Sequence, residues 1–191
     1  MNTNDYPEKA FLLSGLSECG KSTAGMYFDS IGIKRMKLVK VLAYKEMKKN
    51  KNINPYEYAV ELAKEKGEIF VAQKFIDNLT DICNRENTRY CSVESLIYRR
   101  NAEYIKSKMP DRFIITYIDM PEKERLKRQM IRSRVDIEEA KKIMLPRDKI
   151  KMSHGAHEIK NIADVVINNE GSLEELYSQL LKMSKKSCKL E

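Results

Sequence analysis

The sequence predicts an α/β fold, a three-layer α/β/α sandwich built on a five-stranded parallel sheet. Short apolar runs alternate with helix-periodic segments along the whole chain, the pattern of strands joined by helical crossovers. The first run, Ala10-Phe11-Leu12-Leu13-Ser14, leads directly into a glycine-bracketed stretch, and a helical segment follows it. Only 7 glycines and 5 prolines occur in 191 residues and no low-complexity linker interrupts them, so residues 1–191 are read as one domain.

Each element has its own signal. Residues 1–9 are a polar lead-in, expected to fray. Residues 10–14 are apolar without alternation, as a strand covered on both faces must be. That strand is expected at the centre of the sheet, where its C-terminal end reaches the ligand crevice. Residues 23–30 read as a helix ending near Gly32. Residues 33–39 alternate loosely and give a second strand, and 41–49 are helical. Asn54-Pro55 signals a helix start. Helical periodicity then runs from 56 to 83, clearest at Ala72, Phe75, Ile76, Leu79, Ile82 and Cys83, with Gly67 a candidate division. Residues 90–93 form a third strand ending in Glu94, residues 95–107 a helix, and residues 113–118 a fourth strand. Pro121 opens the next helix. Ser133-Arg134-Val135-Asp136 resembles a capping box for a short helix that stops at Pro146. Residues 163–167 give the last strand. Ser172-Leu173-Glu174-Glu175 caps a terminal helix with Leu173, Leu176, Tyr177, Leu180 and Leu181 on its inner side.

The glycine-bracketed stretch Gly15-Leu16-Ser17-Glu18-Cys19-Gly20-Lys21-Ser22-Thr23 matches the phosphate-binding pattern G-x-x-x-x-G-K-[ST] at every fixed position. Gly15 and Gly20 let the backbone curl so that successive N–H groups point inward at an anion. The helix behind adds its positive end. Lys21 is expected on the β- and γ-phosphates of a nucleotide and Ser22 on a magnesium ion. Ser17, Glu18, Cys19, Gly20 and Thr23 complete the expected phosphate contacts, with the β-phosphate among the amides of 18–22. Glu94, at the end of a strand, has two readings: an acid orienting magnesium through water, or the N-cap of the following helix.

The formal net charge of +8 calls for an anionic partner: nucleic acid, a membrane surface or a polyphosphate substrate. Basic residues concentrate in 34–51, 123–134 and 182–189. No zinc finger, RNA-recognition signature or aromatic-basic stripe accompanies them, which weighs against nucleic acid. No apolar run approaches the roughly 20 residues of a membrane span and no signal peptide precedes the first strand, so the expected setting is cytoplasmic, without a membrane partner. Cys19, Cys83, Cys91 and Cys188 lack metal-ligand spacing and are read as reduced thiols. His154 and His157 have no acid partner in the pattern and are read as structural. The sequence leaves the oligomeric state open.

Three stretches resemble the dephospho-CoA kinase-like branch of the P-loop nucleotide kinases, and within it a group of predicted nucleotide kinases of archaeal type. They are the phosphate loop with Gly32-Ile33 after its helix, the stretch Ser92-Val93-Glu94-Ser95-Leu96-Ile97-Tyr98-Arg99-Arg100-Asn101-Ala102-Glu103-Tyr104, and the run from Arg147-Asp148 through Gly155-Ala156-His157-Glu158 to Ile162-Ala163-Asp164-Val165-Val166-Ile167-Asn168-Asn169-Glu170-Gly171-Ser172-Leu173-Glu174-Glu175-Leu176. The resemblance implies a P-loop NTPase sandwich with a helical lid, using ATP and Mg2+ to phosphorylate a small acceptor. It places an acceptor-binding helical region at about 40–88 and a basic lid at about 128–150. Lid arginines would stabilise the moving phosphoryl group, and Arg128, Arg132, Arg134 and Arg147 are the candidates, with Arg132 and Arg134 the expected pair. The competing reading pairs them with Glu122, Glu124, Glu138 and Glu139 along exposed helices. One departure matters: where dephospho-CoA kinases carry an Asp-x-Asp pair, this chain has Arg35-Met36-Lys37-Leu38-Val39-Lys40, with no acid. A phosphate acceptor needs no general base, so a nucleoside monophosphate is favoured over dephospho-CoA. Lys37 and Lys40 either meet that anion or face water. Two alternatives remain beside the kinase: an acceptor-independent nucleotidase, and a nucleotide-binding regulatory module.

Overall fold

The structure, a computed structural model, describes residues 7–188. Most of the expected frayed lead-in, and the last residue of the C-terminal basic cluster, lie outside them. Five strands form one sheet in the order β2-β3-β1-β4-β5, and every neighbouring pair is parallel. They are β1 (Lys9–Ser14), β2 (Lys34–Lys37), β3 (Tyr90–Leu96), β4 (Phe113–Asp119) and β5 (Val165–Asn168). The helices are α1 (Lys21–Ser30), α2 (Leu38–Lys49), α3 (Pro55–Lys66), α4 (Glu68–Arg85), α5 (Arg99–Lys108), α6 (Glu122–Ser133), α7 (Ile137–Ser153) and α8 (Leu173–Ser187).

β1 is central, and its period of two splits its side chains between two cores. Ala10 and Leu12 enter the core shared with α2, α4 and α5, while Phe11 and Leu13 enter the one shared with α1 and α8. Phe11 stacks on Phe28 of α1 with ring centroids 5.0 Å apart, and Phe75 of α4 meets Phe113 of β4 at 6.4 Å. α3 packs on α2 and α4, and the Asn78 amide of α4 donates to the carbonyls of Val41 and Leu42, both at 3.0 Å. The α6–α7 hairpin has a small core of its own, Leu126, Ala140 and Met144. Among the described residues no helix is long and apolar enough to cross a membrane.

Several boundaries differ from the sequence reading. β2 is four residues rather than seven, because Leu38 already belongs to the buried face of α2 with Val41 and Leu42. Gly67, at φ +81, does divide α3 from α4. β3 continues through Glu94 to Leu96, and α5 starts at Arg99 with Tyr98 as its N-cap, so Glu94 caps no helix. The capping box expected at Ser133 does not form. Ser133 ends α6, and Asp136 caps α7 by accepting from the Glu139 amide at 2.9 Å. On α8 the expected box does form between Ser172 and Glu175, but Leu173 is exposed rather than inward.

The largest difference is that α7 continues past Pro146 to Ser153. Ala140, Met144 and Asp148 repeat at helical spacing on its buried side, whereas Pro146 is exposed, so water can serve the carbonyl that the proline leaves unpaired. Packing overrides propensity. Pro146→Ala should therefore restore one helix bond and raise stability by about 1–3 kcal/mol, read as a higher urea midpoint. An unchanged or lowered midpoint would show that α7 packs only when bent.

Candidate functional site

The loop between β1 and α1 has the backbone that its glycines promise. Gly15 and Gly20 sit at φ +132 and +107, and Glu18 takes the left-handed region at φ +58. A Cβ on Gly15 would lie 2.5 Å from the Ile118 carbonyl oxygen and 2.7 Å from the Cys19 sulfur, so side chains there are excluded by space as well as by conformation. α1 begins without a side-chain cap and without an acid in its first turn. Its leading amides are available to an external anion. Lys21 folds back, donating to the loop carbonyls of Gly15 at 2.7 Å and Leu16 at 2.6 Å and approaching the Cys19 sulfur at 3.4 Å. Cys19 is buried, as are the other three cysteines, and all four are free thiols.

Ser17, near the loop's apex, is held from three directions by the α6–α7 hairpin. Its amide donates to Asp148 at 2.8 Å, its carbonyl accepts from Arg125 at 3.1 Å, and its hydroxyl accepts from Lys151 at 2.8 Å. Arg125 and Asp148 form an ion pair only 4% and 2% exposed, and Arg125 also donates to the Met120 carbonyl. Its position on the buried face of α7 gives Asp148 a visible signal, an acid on an apolar stripe. Sequence reasoning did not use that signal. Arg125 and Lys151 had none, because their meaning arises only where α6, α7 and the loop converge.

The four candidate arginines do not gather. Arg128 donates to the Asn169 carbonyl at 3.2 Å, and the Asn169 amide in turn donates to the Cys19 carbonyl at 2.8 Å, bracing the loop from the end of β5. Arg132 pairs with Glu18 at 2.8 Å. Arg134 is the exposed left-handed residue that closes α6 at φ +55; its amide donates to the Met130 carbonyl, and its side chain makes no hydrogen bond or ion pair among the described residues. The expected Arg132–Arg134 pair is therefore not formed. Arg147 stands apart on α7, lining the large cavity described below. The exposed-helix pairings with Glu122, Glu124, Glu138 and Glu139 do not engage these arginines; lysines take Glu124, Glu138 and Glu139 instead.

Glu94 lies at the loop's other side, 3% exposed. One carboxylate oxygen accepts from Ser22 at 3.0 Å and the other pairs with Arg35 of β2. Gly25 makes the approach possible, since a Cβ there would sit inside van der Waals contact of that carboxylate. A hydroxyl beside a carboxylate is the hard oxygen donor set that suits Mg2+, which keeps most of its shell as water and phosphate. Ser22 and Glu94 fit that ion. Thr23, next along α1, is partly buried and makes no side-chain hydrogen bond among the described residues.

Beside the loop opens a cavity of about 720 Å³. α2 and α3 give it an apolar wall that includes Leu38, Leu42, Ala59 and Val60, while Lys37, Arg147 and Lys151 bring cations and Glu94 links it to the loop. Of the two lysines left open by sequence, Lys37 lines this cavity and Lys40 only a shallower groove along the β2 edge. Burial, and then the like charge of Lys21, push the Lys151 ammonium down to about 8. His154 also lines the cavity, its ring 4.3 Å from that of Tyr98, whose hydroxyl burial holds protonated. His157 is exposed and lies 3.8 Å from Glu158.

No family model matches the chain, and no curated protein does. Solved structures do match over nearly its whole length. An uncharacterised protein from Eubacterium ventriosum aligns with a TM-score of 0.62 at 16% identity, over 94% of this chain and 99% of that one. A Thermus thermophilus protein aligns at 0.59 and 21% identity, over 94% and 98%. Shikimate kinase from Acinetobacter baumannii, solved with shikimate, aligns at 0.52 and 16% identity, over 98% and 97%. These likenesses show a shared fold, the parallel α/β sandwich described above.

On that fold the Ser17 clamp should matter to stability and to the loop separately. Asp148→Ala strands a buried guanidinium and should cost about 3–5 kcal/mol in a urea melt. Arg125→Met combined with Asp148→Leu should recover most of that loss while leaving Ser17 tied by Lys151 alone. If the double variant is as unstable as the single one, charge burial is not what the pair balances.

Proposed function

We propose that this protein is an ATP-dependent phosphotransferase whose acceptor already carries a phosphate, a nucleoside monophosphate before any other. One observation carries the reading: the cavity beside the phosphate loop is rich in cations and, among the described residues, holds no free carboxylate next to the loop. Both oxygens of Glu94 are engaged, by Ser22 and Arg35, and the cavity's other acid, Glu68, opens α4 on the helical wall. A hydroxyl acceptor would need its proton removed, whereas a phosphate oxygen is already a nucleophilic anion. The missing acid pair in β2 says the same. The structural likeness gives the fold alone. The dephospho-CoA kinase-like resemblance of the sequence supports phosphoryl transfer but, lacking that pair, not dephospho-CoA as acceptor.

In this reading the loop amides of 18–22 hold the β-phosphate, and Lys21 leaves the carbonyls of Gly15 and Leu16 for the β- and γ-phosphates. The acceptor phosphate oxygen attacks the γ-phosphorus, the bond to the β–γ bridging oxygen breaks, and ADP leaves with that electron pair. Ser22, with Glu94 behind it, would hold Mg2+, which neutralises charge on the phosphates. Arg128 and Arg132 border the loop and are the arginines placed to meet the transferring group; Arg147 and Lys37 face the acceptor. α2–α4 form the acceptor-binding region and α6–α7 the lid, within one domain. Closure of such a lid excludes water from the transfer.

An acceptor panel with ATP and magnesium tests the reading. ADP release should rise with a nucleoside monophosphate and fall at least a hundredfold in Lys21→Ala, whose urea midpoint should stay near that of the parent chain. Release independent of any acceptor would indicate a nucleotidase, and tight ATP binding without release would indicate a regulatory module.

Lys151 adds a pH dependence. Its depressed value leaves it neutral above about pH 8, so ATP affinity should weaken as pH rises through that value. Bound phosphate favours the cation, so binding at about pH 8.5 should take up a proton. Calorimetry in two buffers of different ionisation enthalpy measures that uptake, and Lys151→Met should abolish it.

A further inference from the structure

We propose that Ser95 is an acceptor-binding residue, its hydroxyl donating a hydrogen bond to the acceptor's phosphate; the proposal deepens the phosphorylated-acceptor reading and rests on it for the ligand. Four non-glycine residues among those described have a left-handed backbone. Glu18 belongs to the phosphate loop, Asn87 to the turn after α4 and Arg134 to the end of α6, all places where the chain curls or reverses. Ser95, at φ +77, stands inside β3. A Cβ in that conformation is crowded by its own backbone, a cost that glycine escapes. The strand register shows what the conformation does. Leu13 pairs with Glu94 and Ser14 with Leu96, so Ser95 is the extra residue of a bulge. The Ser14 hydroxyl fixes the strand beyond it by donating to the Leu96 carbonyl at 2.7 Å. Bulges re-aim side chains, often beside functional sites.

The bulge sets Ser95 apart from both its neighbours. Glu94 and Leu96 are buried, whereas Ser95 is exposed, lines the cavity and makes no side-chain hydrogen bond among the described residues. A bulge that served only the sheet would be met by glycine without the strain. Serine carries the strain and adds one group, the single aliphatic hydroxyl among the residues lining the cavity. Its place points to the partner. Ser95 lies across from Ser14, the residue before the loop's first glycine, and follows Glu94, which accepts from Ser22 at the loop's end. Both neighbours put it at the loop end of the cavity. An acceptor that attacks the γ-phosphorus must bring its phosphate to this end. Lys37, the register partner of Glu94, supplies charge there from the neighbouring strand. A neutral O–H beside it donates to a phosphate oxygen and fixes its direction without cancelling the charge that makes it a nucleophile.

Two substitutions separate the hydroxyl from the strain. Ser95→Ala removes the hydroxyl and keeps the strained backbone, and Ser95→Gly removes both. Each alters an exposed side chain, so both variants should fold. Ser95→Gly should unfold at a higher urea midpoint than Ser95→Ala and at one no lower than the parent's. Nucleoside monophosphates are titrated calorimetrically, with and without ADP, into the parent chain and both variants. At least one should bind the parent, and both variants should bind it at least tenfold more weakly, the loss expected of one hydrogen bond to a charged group. In turnover the acceptor KM should rise by a similar factor while the KM for ATP stays within about twofold. A glycine variant that binds the monophosphate as the parent does, or that unfolds before Ser95→Ala, overturns the assignment, as does a parent that binds no monophosphate. Turnover of a phosphorylated acceptor that neither substitution alters would overturn this inference and leave the phosphotransferase reading in place. Monophosphate binding that both substitutions weaken, with no acceptor turned over, would uphold this inference and overturn the phosphotransferase reading.

Discussion

Everything in the candidate site depends on how Ser17 is held. A phosphate-binding loop works by pointing amides inward, an arrangement that leaves its own carbonyls and apex without regular partners. Here the α6–α7 hairpin supplies them. Asp148 takes the Ser17 amide, Arg125 takes its carbonyl and Lys151 its hydroxyl. The buried pair that does this is expensive to desolvate and would be replaceable by hydrocarbon if stability were all it served. Its two charges instead fix a loop residue to a helical hairpin. Movement of that hairpin and the shape of the loop are thereby one mechanical problem rather than two.

A second tie works from β3, at the loop's other end. Gly25, in the interior of α1, is a poor helix residue by propensity. Its missing Cβ leaves the space that the Glu94 carboxylate occupies, and Arg35 closes over the far oxygen. Glu94 can then hold the Ser22 hydroxyl in place. The basic stretch in β2, which lacks the acid pair of the kinases it resembles, thus contributes a charge partner for an acid one strand away. What the sequence loses as a general base it gains as a restraint.

The parts legible in sequence were those governed by local rules. The strand–loop–helix around Gly15 and Lys21, the order of strands and helices, the break at Gly67 and the capping box at Ser172 each follow from residues within a few positions of one another. The misreadings share a cause as well. Pro146 ended α7 on paper because propensity was weighed without knowing that Met144 and Asp148 would be buried on either side of it. Ser133 and Asp136 were joined in one cap because nothing local shows where α6 stops. Arg125, Lys151 and Asn169 were missed because each acts through partners far away in the chain: the Arg125–Ser17 bond spans 108 residues and the Lys151–Ser17 bond 134. Four arginines close together in sequence were grouped, and the αL turn at Arg134 with the helix break after it distributes them over separate surroundings.

The net charge of +8 is then better understood by location than by total. Many lysines and arginines are answered at the surface by nearby acids, as Lys34 is by Glu86 and Arg99 by Glu103 and Glu158. The unanswered ones that matter converge where the loop meets the cavity. Lys21 has only carbonyls and a sulfur for company and Lys151 a hydroxyl, and burial followed by the like charge of Lys21 disfavours the Lys151 cation. Two ammonium groups held this way are poorly solvated and mutually repelled, a state that an anion between them relieves at once. In the proposed function that arrangement favours a phosphate before any ligand arrives, which is what preorganised electrostatic stabilisation requires. The cost appears as stability forgone in the empty chain, and the Ser17 clamp is the structure that withstands it.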